Sequence, residues 1–186
     1  MSAASLLKYC YLAYAAKPAA ERRLYRIIRR QRAGRIVELG IGDTVRAQRM
    51  IAVSGRYRGQ EEVSYTGIDL FEARPEEHSA LSLKQAYKQL TPSGARLKLL
   101  PGDPYSALAR SANSLLNTDL IIIGADQDAD SLERAWFYVP RMLHGNSTVL
   151  IEHVGEQPEA ERRYHQLPAE DIAQLAELAA PRRRAA

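Results

Sequence analysis

The chain has 186 residues, 46% of them hydrophobic, and its 26 Lys and Arg against 22 Asp and Glu leave a formal net charge of +4. That length suits one soluble domain able to bury a real core. The single cysteine, Cys10, excludes an internal disulfide and a thiolate metal cluster and makes a reducing compartment the expectation, and no apolar run approaches the ~20 residues of a membrane span.

In chain order, residues 2 to 16 and 19 to 32 predict two leading helices split near Pro18. Leu6 to Ala16 ends in Ala-Tyr-Ala-Ala, faintly like a cleavage site, but Lys8 interrupts the apolar region and no positive segment precedes it. The expectation is therefore a cytoplasmic rather than a secreted protein. The second helix carries arginines at 22, 23, 26, 29, 30 and 32, with Leu24, Ile27 and Ile28 facing the core. Such a face can bind phosphates by counterion release. The plainer reading, preferred because no aromatic or glycine-rich RNA-binding signature accompanies it, is a solvated basic face that complements the helix C-terminal dipole.

Arg35 to Thr44 is the most informative stretch: an apolar strand runs into Glu38 and then into Gly40 and Gly42, one residue apart. Two such glycines let the backbone turn off a strand end and approach a ligand where a Cβ would collide. A nicotinamide fingerprint needs a third glycine where Val45 stands, and an acid beside the turn suits a cationic, ribose-bearing ligand better than a diphosphate. Val63 to Asp69 reads as a second strand ending in an acid, and Arg96 to Asp103 as a third ending in Gly-Asp. Between them Leu83, Ala86, Tyr87 and Leu90 have helical spacing, with Glu76 and Glu77 at the start and Pro92-Ser93-Gly94 at the end. Asp119 to Asp126 is a fourth strand. Leu132, Trp136, Val139 and Leu143 make the next helix, with Asp130 and Glu133 as its cap pair and Trp136 in the core. A fifth strand reaches Glu152-His153.

Strand and helix alternate, so the predicted fold is α/β, a doubly wound and mainly parallel sheet in one domain. Residues 1–33 form the leading helices, 34–153 the core, and 154–186 a helical segment with Ile172, Leu175, Leu178 and Ala179 on one stripe, followed by a disordered Arg182 to Arg184 tail. No strand signal is evident after residue 153. The sheet is expected to stop at five strands, its edge covered by the C-terminal helix or by a second subunit in a homodimer.

The five signals together, over roughly residues 20 to 153, resemble the class I S-adenosylmethionine-dependent methyltransferases, whose first motif is (D/E)xGxG. The resemblance implies a Rossmann-like fold and S-adenosylmethionine as cofactor. It implies cofactor contacts from Glu38, Gly40, Ile41, Gly42, Thr44, Asp69, Leu70, Gly102, Asp103, Pro104 and Gly124. Asp69 would take the ribose hydroxyls and Asp103 would lie near the adenine amine. The ends of strands four and five are most similar to the catechol and caffeoyl-CoA O-methyltransferases, with D-A-D-K and D-N patterns. Here Gly124-Ala125-Asp126-Gln127 and Glu152-His153 stand instead. Glycine cannot ligate through a side chain and glutamine cannot act as a base, so a metal-independent reaction is expected. Glu152, His153 and Asp126 retain the chemistry for an altered metal site.

Ligands of such sheets bind beyond the carboxyl ends of the strands. There His153 is the expected general base, with Asp126 and Asp128 orienting the acceptor or capping a helix; His78, His144 and His165 are expected to be surface residues. The expected function is methyl transfer to oxygen or nitrogen of a small molecule. A non-catalytic cofactor-binding module and an RNA-directed methyltransferase using the arginine helix are the alternatives.

Overall fold

The computed structural model describes residues 3–59, 61–76, 79–155 and 162–181. Glu77, His78 and Arg182 to Arg184, each given a role by the sequence, lie outside the described residues. The chain forms α1 (Ala3–Tyr14), α2 (Glu21–Gln31), β1 (Arg35–Leu39), α3 (Val45–Arg58), β2 (Ser64–Asp69), α4 (Leu83–Leu90) and β3 (Arg96–Pro101). It continues through α5 (Pro104–Ser111), β4 (Leu120–Ile123), α6 (Ala129–Ala135), β5 (Thr148–His153), β6 (Arg163–Leu167) and α7 (Ala169–Leu178). The sheet runs β3-β2-β1-β4-β5-β6, parallel except for β6, which pairs antiparallel with β5. Among the described residues, no helix is long and apolar enough to cross a membrane.

Alternation along each strand divides the core into two layers. Ile36, Tyr65, Leu120, Ile122 and Leu150 face α1 to α4, while Val37, Ile68, Ile121, Ile123 and Val149 face α5 to α7. β4 is buried throughout because both faces are covered, as its uninterrupted apolar run requires. The arginine face of α2 is largely spoken for: Arg22 and Arg23 donate to the carbonyls of Ala16 and Tyr164, and the Arg29 guanidinium lies 5.0 Å and 5.4 Å from the ring centres of Tyr9 and Tyr57. Those arginines hold α1 and the sheet edge to α2. α1 itself inserts Tyr9, Leu12 and Ala13 into the core, so Leu6 to Ala16 is part of the domain's packing.

Four expectations are corrected. The sheet has six strands, because Arg163–Leu167 pairs along β5; only Tyr164 of that run is well buried, so its pattern is that of a polar edge strand. α4 starts at Leu83 through a capping box of Ser82 and Gln85 rather than at Glu76, and Tyr87 on it is exposed. α6 is capped by Asp128, whose carboxylate accepts from the Ser131 amide, two residues before the Asp130 expected from the sequence. On α7, Ile172 is buried and Leu175 and Ala179 pack against the core, but Leu178 is exposed.

Candidate functional site at the strand ends

The carboxyl ends of β1, β2, β3 and β4 meet at a crevice in which the glycine turn is central. Gly40 and Gly42 have φ of +81° and +66°, the left-handed region that glycine adopts freely. A Cβ on Gly40 would lie 2.4 Å from Gln127 Nε2 and 3.0 Å from Asp126 Oδ1. The turn continues the sheet: the Gly40 amide donates to the Ile68 carbonyl and the Gly124 amide to the Leu39 carbonyl, both at 2.8 Å.

Asp69 closes β2 and sits directly across from this turn. Its carboxylate accepts from the amides of Ile41 and Phe71 at 2.9 Å, and from Nε and Nη2 of Arg74 at 2.6 Å each. Burial disfavours its charge, but the Arg74 fork and the two amides outweigh burial and hold its pKa below the usual carboxylate range. Arg74 also donates to the carbonyls of Gly42 and Ser79. It therefore straps the β2 loop to the glycine turn.

Two cavities share Arg74 and Asp126 as a wall. The smaller, about 240 Å³, is bordered by Asp69, Leu70, Gly102, Asp103, Pro104 and Asp128. Asp103 caps α5 through the Ser106 amide and also accepts from the hydroxyls of Ser106 and Ser131. Burial works against its ionisation, yet these donors together hold its pKa down to about 2. The larger cavity, about 630 Å³, runs from Gly40, Ile41 and Gly42 over Arg46 to Glu152 and Arg162.

Its floor is an ion network that the sequence did not disclose. Arg46, in the first turn of α3, donates from Nε to Glu38 at 2.5 Å and from Nη1 to Glu152 at 3.0 Å and to the Tyr164 hydroxyl at 2.8 Å. Its Nη2 donates to the Gly40 carbonyl at 2.9 Å. Tyr65 donates to the other oxygen of Glu38, and Arg162 reaches Glu152 at 3.1 Å. A cation in a helix's first turn opposes the dipole; two buried carboxylates offset that here. Burial disfavours the Arg46 charge, but Glu38, Tyr164 and Glu152 push its pKa up, and Arg46 and Arg162 in turn lower that of Glu152 against its own burial. The fork thereby ties the glycine turn to β5 and β6.

Several sequence-predicted residues are displaced by this arrangement. Glu38 is fully buried beneath the turn and engaged by Arg46 and Tyr65, so it braces the turn instead of facing the crevice. Thr44 is fully buried with φ +70° and stands at the N-cap position of α3, but its hydroxyl bonds to Gln89 instead of capping the helix, away from both cavities. Gly124 borders neither cavity, and a Cβ there would lie 2.9 Å from Asp126 Oδ1. His153 is not brought in: strand alternation turns it to the face opposite Glu152, where it is exposed and its ring centre lies 6.4 Å from that of His165. His144 is half-buried, its Nε2 3.0 Å from Asp119 Oδ1 at the other end of the sheet. Asp126 is exposed and borders both cavities, while Asp128 borders the smaller one and caps α6. Among the described residues, no three His, Cys, Asp or Glu side chains converge as metal ligands.

Arg46, Arg74, Tyr164 and Arg162 are the site residues that sequence reasoning missed. Only Arg74, five residues past a strand-end acid, had a local signal. Tyr164 is the lone inward aromatic in a polar pentapeptide, and Arg46 meets Glu152 and Tyr164 across more than a hundred residues of chain.

No family model and no curated protein matches the sequence. Solved structures do match in fold. The O-methyltransferase TomG from Streptomyces achromogenes, involved in tomaymycin synthesis and solved with S-adenosylmethionine, is 12% identical, with a TM-score of 0.57 over 96% of this chain and 78% of its own. A Klebsiella pneumoniae protein provisionally named an O-methyltransferase gives 16% identity and 0.52 over 95% and 74%. A Staphylococcus aureus protein provisionally named a caffeoyl-CoA O-methyltransferase gives 15% and 0.53 over 81% of this chain, which spans 66% of the staphylococcal protein's length. The fold is thus the Rossmann-like fold of class I methyltransferases.

Proposed function

We propose that the protein is a metal-independent S-adenosylmethionine-dependent methyltransferase acting on an oxygen or nitrogen of a small molecule. The observation that carries this reading is the convergence, in one crevice, of the turn with left-handed Gly40 and Gly42, the strand-end Asp69 and the helix-capping Asp103. The residues fit the cofactor. Asp69 would hold the ribose hydroxyls, Leu70, Gly102, Asp103 and Pro104 the adenine, and the glycine turn the methionine end. S-adenosylmethionine supplies, when bound, the methyl group and its own leaving group. The chain therefore has to position a nucleophile and remove its proton.

With His153 on the other face, Asp126 is the acid best placed for that proton. It borders both cavities, and its Oδ1 takes the Gln127 amide at 3.0 Å, which leaves Oδ2 for the acceptor. Arg74 occupies the carboxylate that the ribose would use, so cofactor entry requires its fork to withdraw from Asp69.

Calorimetry with S-adenosylhomocysteine tests the reading. Asp69→Ala should weaken binding by about 2 kcal/mol or more, the scale of charge-assisted hydrogen bonds. A wild-type protein that binds neither the product nor S-adenosylmethionine sinks it. Where a metabolite screen yields turnover, Asp126→Asn should lower kcat by roughly 10²-fold with cofactor affinity retained, and dialysis against EDTA should leave the rate unchanged. Tight binding with no acceptor found would favour a non-catalytic module.

A further inference from the structure

The end of the sheet away from the crevice holds a cavity of about 550 Å³ on the α5 side. It exists because α5 is short. Eight helical residues cover about 12 Å, and the first residues of β1, β2 and β3 project past it. Register places Arg35, Ser64 and Arg96 side by side in one row across the three strands, and Val37, Thr66 and Lys98 in the next row on the same face. At the usual interstrand spacing, Arg35 and Arg96 stand about 10 Å apart with a hydroxyl between them. The Lys98 ammonium donates to Ser114 at 2.6 Å, and Arg35 Nη1 to the Leu116 carbonyl at 2.8 Å.

Four cations, Arg35, Arg58, Arg96 and Lys98, border this cavity against one carboxylate, Glu62. Arg58 is paired with Glu61 at 2.5 Å, but its buried Nε has no partner. Among the described residues, Arg35, Arg96 and Lys98 make no ion pair. Convergent like charges repel, and a chain with a net charge of only +4 has no compositional need to gather them here. The arginines of α2, by contrast, are spread along a helix and partly engaged with carbonyls and tyrosine rings.

We propose that this cavity binds an oligophosphate chain, free or carried by a nucleoside. Two arginines about two strands apart, with Ser64 and Thr66 between them and Lys98 behind, present donors over the length of two or more phosphoryl groups, where a single carboxylate would reach only one end. The assignment does not depend on the methyltransferase reading of the crevice.

The test is calorimetry of the whole chain with sodium triphosphate and, separately, with ATP, at low and high salt. One site per chain is expected, weakened by salt and weakened about tenfold or more by Arg96→Gln and by Lys98→Gln, both at positions open enough to keep the fold. Equal affinity for the two probes assigns the phosphate chain alone, and tighter ATP adds a nucleoside contact; either supports the site. Arg30→Gln, which removes one positive charge from α2, should change nothing. An equal loss in Arg30→Gln, no saturation by either probe at millimolar concentration, or binding of a single-stranded RNA without binding of triphosphate would overturn the proposal.

Discussion

The two halves of the strand-end crevice are built by different means. Over β2 and β3, Asp69 and Asp103 are each fixed mainly by close neighbours in sequence: Asp69 by Phe71 and Arg74, Asp103 by Ser106, with Ile41 and Ser131 as the longer reaches. Over β1, β5 and β6, one guanidinium gathers Glu38, Glu152, Tyr164 and, from the turn after β1, the Gly40 carbonyl. A locally fixed carboxylate can release one partner and keep its place. A networked one cannot, because Arg46 is shared by two buried carboxylates, and releasing it would strip both of their central cation. The first half is therefore suited to exchanging Arg74 for a ligand, the second to holding the glycine turn still.

The sharpest way to break this contrast is to remove its hub. Arg46→Met deletes the cation between two buried carboxylates and should cost about 3 to 5 kcal/mol of folding stability, the usual effect of breaking a buried ion pair from one side. Chemical denaturation measures it. A loss below about 1 kcal/mol would mean that Glu38 and Glu152 do not depend on Arg46. Because Glu152 has a lowered pKa, its contribution is present above the unfolded carboxylate range and is lost as pH falls through its folded value. Burial raises the Glu38 pKa, which acts in the opposite sense, so the decline of wild-type stability on acidification should follow Glu152 together with Asp69 and Asp103, whose pKa values are also lowered.

Next in size is Gly40→Val. A β-branched residue at φ +81° costs on the order of 1 to 3 kcal/mol in backbone strain, and its Cβ would lie 2.4 Å from Gln127 Nε2 and displace that side chain. Circular dichroism should still report a folded chain, while S-adenosylhomocysteine binding disappears. Normal binding by folded Gly40→Val would remove the glycine turn from the cofactor site.

The same contrast explains what the sequence made legible. The first five strands along the chain, the glycine turn, and the positions of Asp69 and Asp103 are all readable because each is a local pattern: an apolar run, then a special residue at its end. The parallel sheet follows from the alternation of strand and helix. β6 escaped because Arg163-Tyr-His-Gln-Leu is an edge strand with one buried side chain, so it lacks the period-2 apolar signal. In sequence Glu38 looks ligand-facing, because an acid before a glycine turn has no visible partner until α3 folds back and supplies Arg46. The α6 cap slipped because Asp128 and Asp130 are both sound cap residues, and only the Ser131 amide decides between them.

If Asp69 must exchange partners, Arg74→Ala sharpens the comparison in the unusual direction of a gain. Removing the competing fork should tighten S-adenosylhomocysteine binding by about 1 kcal/mol, roughly fivefold, since apparent affinity is reduced by the fraction of molecules held closed. A loss of affinity of similar size would instead make Arg74 a direct contact to the cofactor.

The smallest expected effect belongs to the residue that the sequence made most prominent. His153 follows Glu152 at the end of β5, and in sequence it looks adjacent to the transferred methyl group. Alternation sends neighbouring side chains to opposite faces: Glu152 enters the network beneath the larger cavity, whereas His153 lies exposed beside His165. His153→Ala should accordingly change kcat by less than about twofold and leave the pH–rate profile between pH 5.5 and 9 in place, against the 10²-fold or larger loss of a general base. A product-formation assay on both His153→Ala and Asp126→Asn separates the two. If His153→Ala loses activity and a basic pH limb while Asp126→Asn does not, then the end of β5 must turn its imidazole into the crevice, and the rigid half of the site is the one that moves.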